Sequence, residues 1–453
     1  MNVEQIRARI GHPIIDSDGH LIEYLPVVRD ILREQAGEAA VKGLDFVTSA
    51  GQFMRSLTRD QMRASGFTRS PWWGLPTRNS LDRGTALLPA LLAERLDEIG
   101  IDHAVLYPTY GLVPPNLDDT DLRRATSRAF NTFYAEEFRD LRHKLTPVGI
   151  IPMHTPEEAL AELEHATGVL GLDTFMFGGP ILRPTPGVEH RAGRWLDTLG
   201  VDSQYDYDPV WTRCAELDIA PTFHTPSMGW ATHSSPTNYV YNHIGMFATG
   251  GEAVARSLFL GGVLHRFPTL RFAFLEGGVA WGASLYSGLI GHFEKRNREA
   301  VQHYNPAYLD RKLLIELFRK YGSDRYRARL DQLEDGLRFL SDPDETNLDE
   351  FAQSGVQSAE DIKQLLTERF YFGCEADDPL TAVAFDSDRH PLGARLKPIF
   401  ASDIGHWDVP DIREVLPEAW ELVEHGHIDE GEFRAFMYEN ARALWPQLAK
   451  YVE

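Results

Sequence analysis

Cysteine is nearly absent from this chain of 453 residues. The two present, Cys214 and Cys374, are too few for a disulfide framework, and a reduced, cytoplasmic setting is expected. Long apolar runs are missing too: no stretch of about 18 apolar residues occurs, so no spanning helix is expected. The residues from Met1 to His12 lack the apolar core of a signal peptide. Positive charge is scarce, with 45 Lys and Arg against 67 Asp and Glu and a formal net charge of -22. That balance opposes binding to nucleic acid or to an anionic membrane surface. It still leaves room for a local carboxylate anchor, for which Arg256 and Arg266 are candidates. No G-x-G-x-x-G follows an early strand and no P-loop is present, which leaves a nucleotide-binding doubly wound sheet without support.

What is there is an ordinary globular composition, 43% apolar and 25% charged, in a chain long enough for one large core or two average ones. Short apolar runs alternate with helical segments. The runs are Pro13 to His20, His103 to Pro108, Leu145 to Pro152, Gly171 to Phe177, Ile219 to His224, Leu270 to Glu276, Arg369 to Gly373 and Pro398 to Asp403. Amphipathic stretches stand between them, such as Leu122 to Leu141 and the one opening at Thr155-Pro156-Glu157-Glu158, with proline at the first helical position. Apolar strands separated by helices read as a parallel sheet covered on both faces. Eight such units predict a (β/α)8 TIM barrel, one domain over residues 1–453. Helical insertions follow strand one (about 21–92) and strand six (about 282–366), both expected above the carboxyl-end face where this fold builds its sites.

The strand ends carry the chemistry. Strand one finishes with Asp18 and His20, two apart, so an extended backbone sends both to one side. Alone, that stretch reads as well as a turn with Asx and capping chemistry. Strand five, however, ends in His224, strand six in Glu276 and strand eight in Asp403. Two imidazoles and up to three carboxylates converging on a barrel axis make a site for Zn²⁺, Mn²⁺ or Fe²⁺. His406, three residues past Asp403, is a candidate partner orienting the site, and equally a loop histidine capping a helix. Trp230, Trp281 and Trp407 are candidate pocket walls, with Trp72 and Trp73 as a cap, which points to a small, aromatic or bulky apolar substrate. His233, His243 and His292 receive no role of their own.

Three motifs resemble the amidohydrolase superfamily in its amidohydrolase-related (second) branch. They are Asp16-Ser17-Asp18-Gly19-His20-Leu21-Ile22-Glu23, the segment from Gly262 to Trp281 with Glu276-Gly277-Gly278 in it, and Phe400-Ala401-Ser402-Asp403-Ile404-Gly405-His406-Trp407-Asp408. The closing Glu439-Asn440-Ala441-Arg442 is similar to the family's last helix. The resemblance implies metal ligation by Asp18, His20, His224 and Asp403, with Asp403 taking a proton from an activated water in a hydrolase. Two departures stand out: many members carry His where Asp18 stands, and many decarboxylases of the branch carry a catalytic His where Glu276 stands. Glu276 is then a general acid or base, or a ligand to a second metal. The resemblance implies hydrolysis of a small, aromatic or carboxylated substrate first and non-oxidative decarboxylation of an aromatic or unsaturated acid as the alternative. A third reading is oxygen chemistry at two irons held by these residues with His292 or His406. The family resemblance also implies a homodimer.

Overall fold

In the computed structural model, residues 1–70, 74, 76–188, 193–228, 230, 232–337 and 348–452 are described; Trp72 and Trp73 lie outside them. Eight strands run in parallel: β1 Ile15–Leu21, β2 His103–Pro108, β3 in two pieces (Leu145–Pro147 and Gly149–Ile151), β4 Phe175–Phe177, β5 Pro221–Phe223, β6 Phe272–Phe274, β7 Phe370–Glu375 and β8 Lys397–Ala401. Nearly all their residues are buried, as a sheet covered by helices on one side and closed on itself on the other requires. β3 changes partner at Val148: its first piece pairs with β2 and its second with β4.

The ring closes between β8 and β1 by individual hydrogen bonds. Asp403 N donates to Asp18 O at 3.1 Å, and His20 N donates to Ile404 O at 2.9 Å. The buried Asp16 carboxylate accepts from Ser402 N at 3.0 Å, Ser402 Oγ at 2.6 Å and Asp18 N at 3.2 Å. The chain is therefore a (β/α)8 barrel. Its covering helices begin with conventional caps. Asp119 accepts from Leu122 N ahead of Thr120–Glu137, and Thr155 accepts from Glu158 N ahead of Pro156–Gly168.

Three features differ from expectation. The helices Leu25–Ala36 and Glu38–Ser56 pack against Thr120–Glu137 on the barrel flank rather than above the carboxyl-end face. Val28, Leu32, Val41 and Leu44 are the apolar positions buried there. Only the later part of that insertion reaches over the top, where Arg69 N donates to Ser235 O at 3.0 Å and Asn242 Nδ2 donates to Arg69 O at 2.8 Å. After β6, Ala280–Arg296 and Ala359–Arg369 pack on each other as ordinary barrel helices, so the excursion proper lies between them. An antiparallel hairpin, Ile181–Pro184 with Arg194–Asp197, was not expected. Arg183 holds it by donating to Asp197 at 3.0 Å and to Tyr207 Oη at 2.9 Å. Among the described residues no helix is long and apolar enough to cross a membrane.

Asp16 is the clasp of the closure. Asp16→Asn turns an amide N–H₂ toward backbone and hydroxyl donors and leaves buried groups unpaired, at about 1–3 kcal/mol. The urea midpoint should fall accordingly. Gly19→Ala should do likewise, since a Cβ there would stand 2.4 Å from Asp16 Oδ2.

Candidate metal centre

Local backbone geometry explains how the strand ends aim their side chains. In β1, Asp16 pairs with Ala104 but Gly19 with Leu106, so a bulge sits at Ser17 and Asp18. Bulges re-aim side chains; here Asp16 turns to β8 while Asp18 and His20 turn inward. Glu276 and Asp403, each just past its strand, hold φ values of 53° and 51°. Left-handed backbone in a non-glycine residue costs of order 1–3 kcal/mol and is retained where the surroundings demand it. Both carboxylates thereby swing over the barrel mouth.

The ligand-capable atoms meet there. His20 Nε2 lies 3.2 Å from His224 Nε2, 3.5 Å from Asp18 Oδ1 and 3.5 Å from Asp403 Oδ1. His224 Nε2 lies 3.8 Å from Asp18 Oδ1 and 3.1 Å from Glu276 Oε2. Donors about 2.1 Å from a tetrahedral ion stand about 3.4 Å apart, close to the spacings within Asp18, His20 and His224. His20 Nδ1 sits 3.2 Å from the Pro108 carbonyl. A carbonyl only accepts, so Nδ1 carries the hydrogen and Nε2 turns a lone pair inward, as a metal-ligating histidine requires. Asp18 Oδ1 and Glu276 Oε2 are buried without a hydrogen bond. Buried acceptors left without donors are what a bound cation satisfies, so the residues present fit one.

The electrostatics agree. Burial pushes the carboxyls of Asp18, Glu276, Glu375 and Asp403 well above the usual range. Asp408 adds to this at Glu276 and Asp403. Burial also depresses His20, His224 and His406, leaving the neutral imidazoles that ligate metals.

All five expected ligands, Asp18, His20, His224, Glu276 and Asp403, thus converge. His406 joins them: its ring stacks on His20 at 3.7 Å, Nδ1 lies 2.6 Å from Asp403 Oδ1, and Nε2 lies 3.2 Å from Thr109 Oγ1. Trp407 stands beside the site against Tyr239 and His243. Trp281 is partly buried between Phe274 and Phe372, and Trp230 is partly exposed in the loop after β5. His292 does not belong to the site, because it is exposed on Ala280–Arg296 and contacts its own helix at Gly288 O. Arg256 and Arg266 do not either, since they pair with Glu252 and Asp208 on outer helices. His233 is a loop brace, between Ser227 and Ile244 O.

Sequence reasoning missed three contributors. Glu375 ends β7 inside the cluster, and Asp408 faces Glu276 and Asp403. Glu23 accepts from Thr109 N, Tyr110 N and Gly111 N at 3.2, 2.8 and 3.0 Å and from the Tyr134 hydroxyl. It so holds the loop that carries Thr109 to His406. The signal for Asp408 and Glu23 lay in the motifs already singled out.

Two outcomes follow. His224→Ala should lose bound metal while the far-ultraviolet circular dichroism stays native. In the chelated protein the buried carboxyls bind protons in the folded state that the unfolded chain releases above about pH 4. The depressed histidines act oppositely, but only up to about pH 6.5. From pH 7 upward, stability of the chelated protein should therefore fall as pH rises through the raised folded values. Denaturant midpoints measured with and without Mn²⁺ test this: the ion should abolish the slope.

Comparison with known proteins adds the family. A family model described as Amidohydrolase matches residues 85–326, more than half of the chain; the β1 and β8 motifs lie outside that span. No curated protein matches the chain. Among solved structures, 5-carboxyvanillate decarboxylase from Sphingomonas paucimobilis superposes with a TM-score of 0.54 at 12% identity, over 96% of this chain and 99% of that one. A dihydroxybenzoic acid decarboxylase from Polaromonas sp. JS666, solved with manganese and 2-nitroresorcinol, gives 0.52 at 15% identity, over 97% and 98%. At such identities the likeness is one of fold. The motifs, the barrel and the matched span together place the chain in the amidohydrolase family.

Proposed function

We propose that this chain, one domain over residues 1–453, is a metal-dependent hydrolase acting on a small substrate without a negative charge. The observation that carries the reading is the charge of the site. Asp18, Glu276, Glu375, Asp403 and Asp408 cluster at the barrel mouth. Among the described residues Asp18, Glu276 and Asp403 form ion pairs with histidine, and none of the five pairs with Lys or Arg. A carboxylated substrate would meet five acids that pair with no Lys or Arg among the described residues, whereas an ester, lactone or amide carbonyl carries no charge to repel.

Asp18, His20, His224 and Asp403 would hold the cation, and the oxygen-rich set favours Mn²⁺ or Fe²⁺ over Zn²⁺. A divalent ion there supplies Lewis acidity toward a carbonyl and lowers the pKa of water from about 15.7 toward 7. Asp403 contributes the proton transfer. Its buried carboxylate, beside His406 and Asp408, takes the proton of the attacking water and returns it to the leaving group. Thr109 and the stacked His20 ring fix His406 against Asp403 Oδ1, which keeps that carboxylate in place. Trp407, Tyr239 and His243 form an aromatic wall on one side.

The runner-up is non-oxidative decarboxylation, the reaction named for the two superposed enzymes. The buried Glu276 carboxyl, pushed up by burial and by Asp408, favours it as a proton source for a ring carbon. The Mn²⁺-loaded protein should hydrolyse members of a panel of neutral esters, lactones and amides. It should release no CO₂ from hydroxylated benzoic acids. Asp403→Asn should lower the hydrolytic kcat by about 10²–10⁴, the usual contribution of a positioned acid or base. Release of CO₂ without hydrolysis sinks the reading.

A further inference from the structure

We infer that the helix Arg311–Tyr321 is an arm that seats in a groove on the outer helices of a second copy of this chain, each copy filling the other's groove. The inference is independent of the reaction and rests on the excursion between Ala280–Arg296 and Ala359–Arg369. No residue from 302 to 332 is buried. Arg311–Tyr321 packs chiefly on the short helix Asp324–Arg327, not on the barrel, with Tyr326 against Phe318 at 5.8 Å. Its apolar residues Leu313, Leu314, Leu317, Phe318 and Tyr321 follow the spacing of a single helix face. Leu313, Leu317 and Tyr321 are 50%, 40% and 71% exposed. A helix of 11 residues holds its shape poorly in water alone, and an exposed stripe of this kind marks a docking surface.

Charge selects the occupant. Residues 311–329 hold seven Lys and Arg against two acids, in a chain whose formal net charge is -22. A basic arm on so acidic a body finds its complement in another copy of that body. An anionic membrane would attract the arm and repel the rest. The body also offers a seat. A groove of about 990 Å³ runs between Met246–Leu260, Ala280–Arg296 and residues 349–353. Leu285, Leu289 and Phe351 are its buried apolar lining. Asp202, Glu252, Asp349 and Glu350 are its acids, against two arginines, Arg256 and Arg296, which pair with Glu252 and Glu350 at 3.6 and 2.7 Å. Gly288 lines the groove where an added Cβ would meet nothing within 4 Å. Apolar floor and acidic margin match an apolar stripe flanked by basic side chains, the usual way a helix lies in a groove. Because each copy carries both arm and groove, the exchange closes at two chains.

The test is self-association of the full-length protein by analytical ultracentrifugation. A dimer is expected, and added salt should weaken it. Leu317→Glu on the arm and Gly288→Trp in the groove should each shift sedimentation to that of a monomer, with native far-ultraviolet circular dichroism. Cross-linking locates the contact. Cys214 and Cys374 are buried, so cysteines added at the surface report alone. In a mixture of Leu317→Cys and Gly288→Cys chains, a bismaleimide should join one chain of each kind, identified by mass. A monomeric wild type overturns the inference, and so does a dimer that yields no mixed cross-link or survives either substitution. Capture of the wild type, but not of the Leu317→Glu chain, by phosphatidylglycerol vesicles overturns it in favour of a lipid surface. The wild-type and cross-linking measurements decide even if Gly288→Trp fails to fold.

Discussion

The junction of β8 with β1 governs everything else in this molecule. Asp16 grips Ser402 through two hydrogen bonds, while Asp403 N reaches Asp18 O and His20 N reaches Ile404 O. Each of these bonds lies on or beside a candidate ligand. Closing the barrel and assembling the candidate metal centre are therefore one event. Segments from opposite ends of the chain supply Asp18, His20, Asp403 and His406, so the site does not exist in the unfolded chain. A cation binding there adds its free energy to folding. The same closure holds Asp403 in its left-handed conformation, since its own N–H is one of the closing donors.

Elsewhere the chain neutralises several of its buried acids with arginine. Arg123 meets Glu158 at 2.8 Å, Arg183 meets Asp197 at 3.0 Å and Arg95 meets Asp82 at 2.7 Å, each pair almost wholly buried. Burying a charge without a partner costs several kcal/mol. The five at the barrel mouth have no such partner among the described residues, and their charge is left for something that arrives from solution. The three imidazoles, kept neutral by burial, offer lone pairs instead of counter-charge. With no metal bound, burial favours the protonated forms of Asp18, Glu276, Glu375 and Asp403.

Much of this was legible in the sequence. The run from His103 to Pro108 became a strand residue for residue, and the polar ends of strands one, five, six and eight met as the barrel topology requires. The misses have physical causes. Gly373 reads as the end of strand seven, but it is there because a Cβ would come within 3.0 Å of the Leu275 backbone. Past it the strand continues to Glu375, which hid a fifth acid. Amphipathic helices such as Leu25–Ala36 disclose which face is apolar but not which neighbour it meets, so the first insertion was placed too high. Prolines at 184 and 186 concealed the hairpin. His292 and Arg266 were candidates by residue type alone, and only packing shows that they face away.

Fold and reaction separate cleanly here. The family match spans residues 85–326, the middle of the barrel, whereas the residues that distinguish this site sit largely outside it, in the first and last strands. A barrel of this kind supports water activation and decarboxylation alike. The choice between them falls to local electrostatics. An anionic substrate must be held by positive charge that outlasts neutralisation of the site's own acids. With five carboxylates and, among the described residues, no arginine or lysine paired to them, a bound divalent ion leaves negative charge over. A neutral carbonyl needs no such surplus, only a polarising ion and a base beside it.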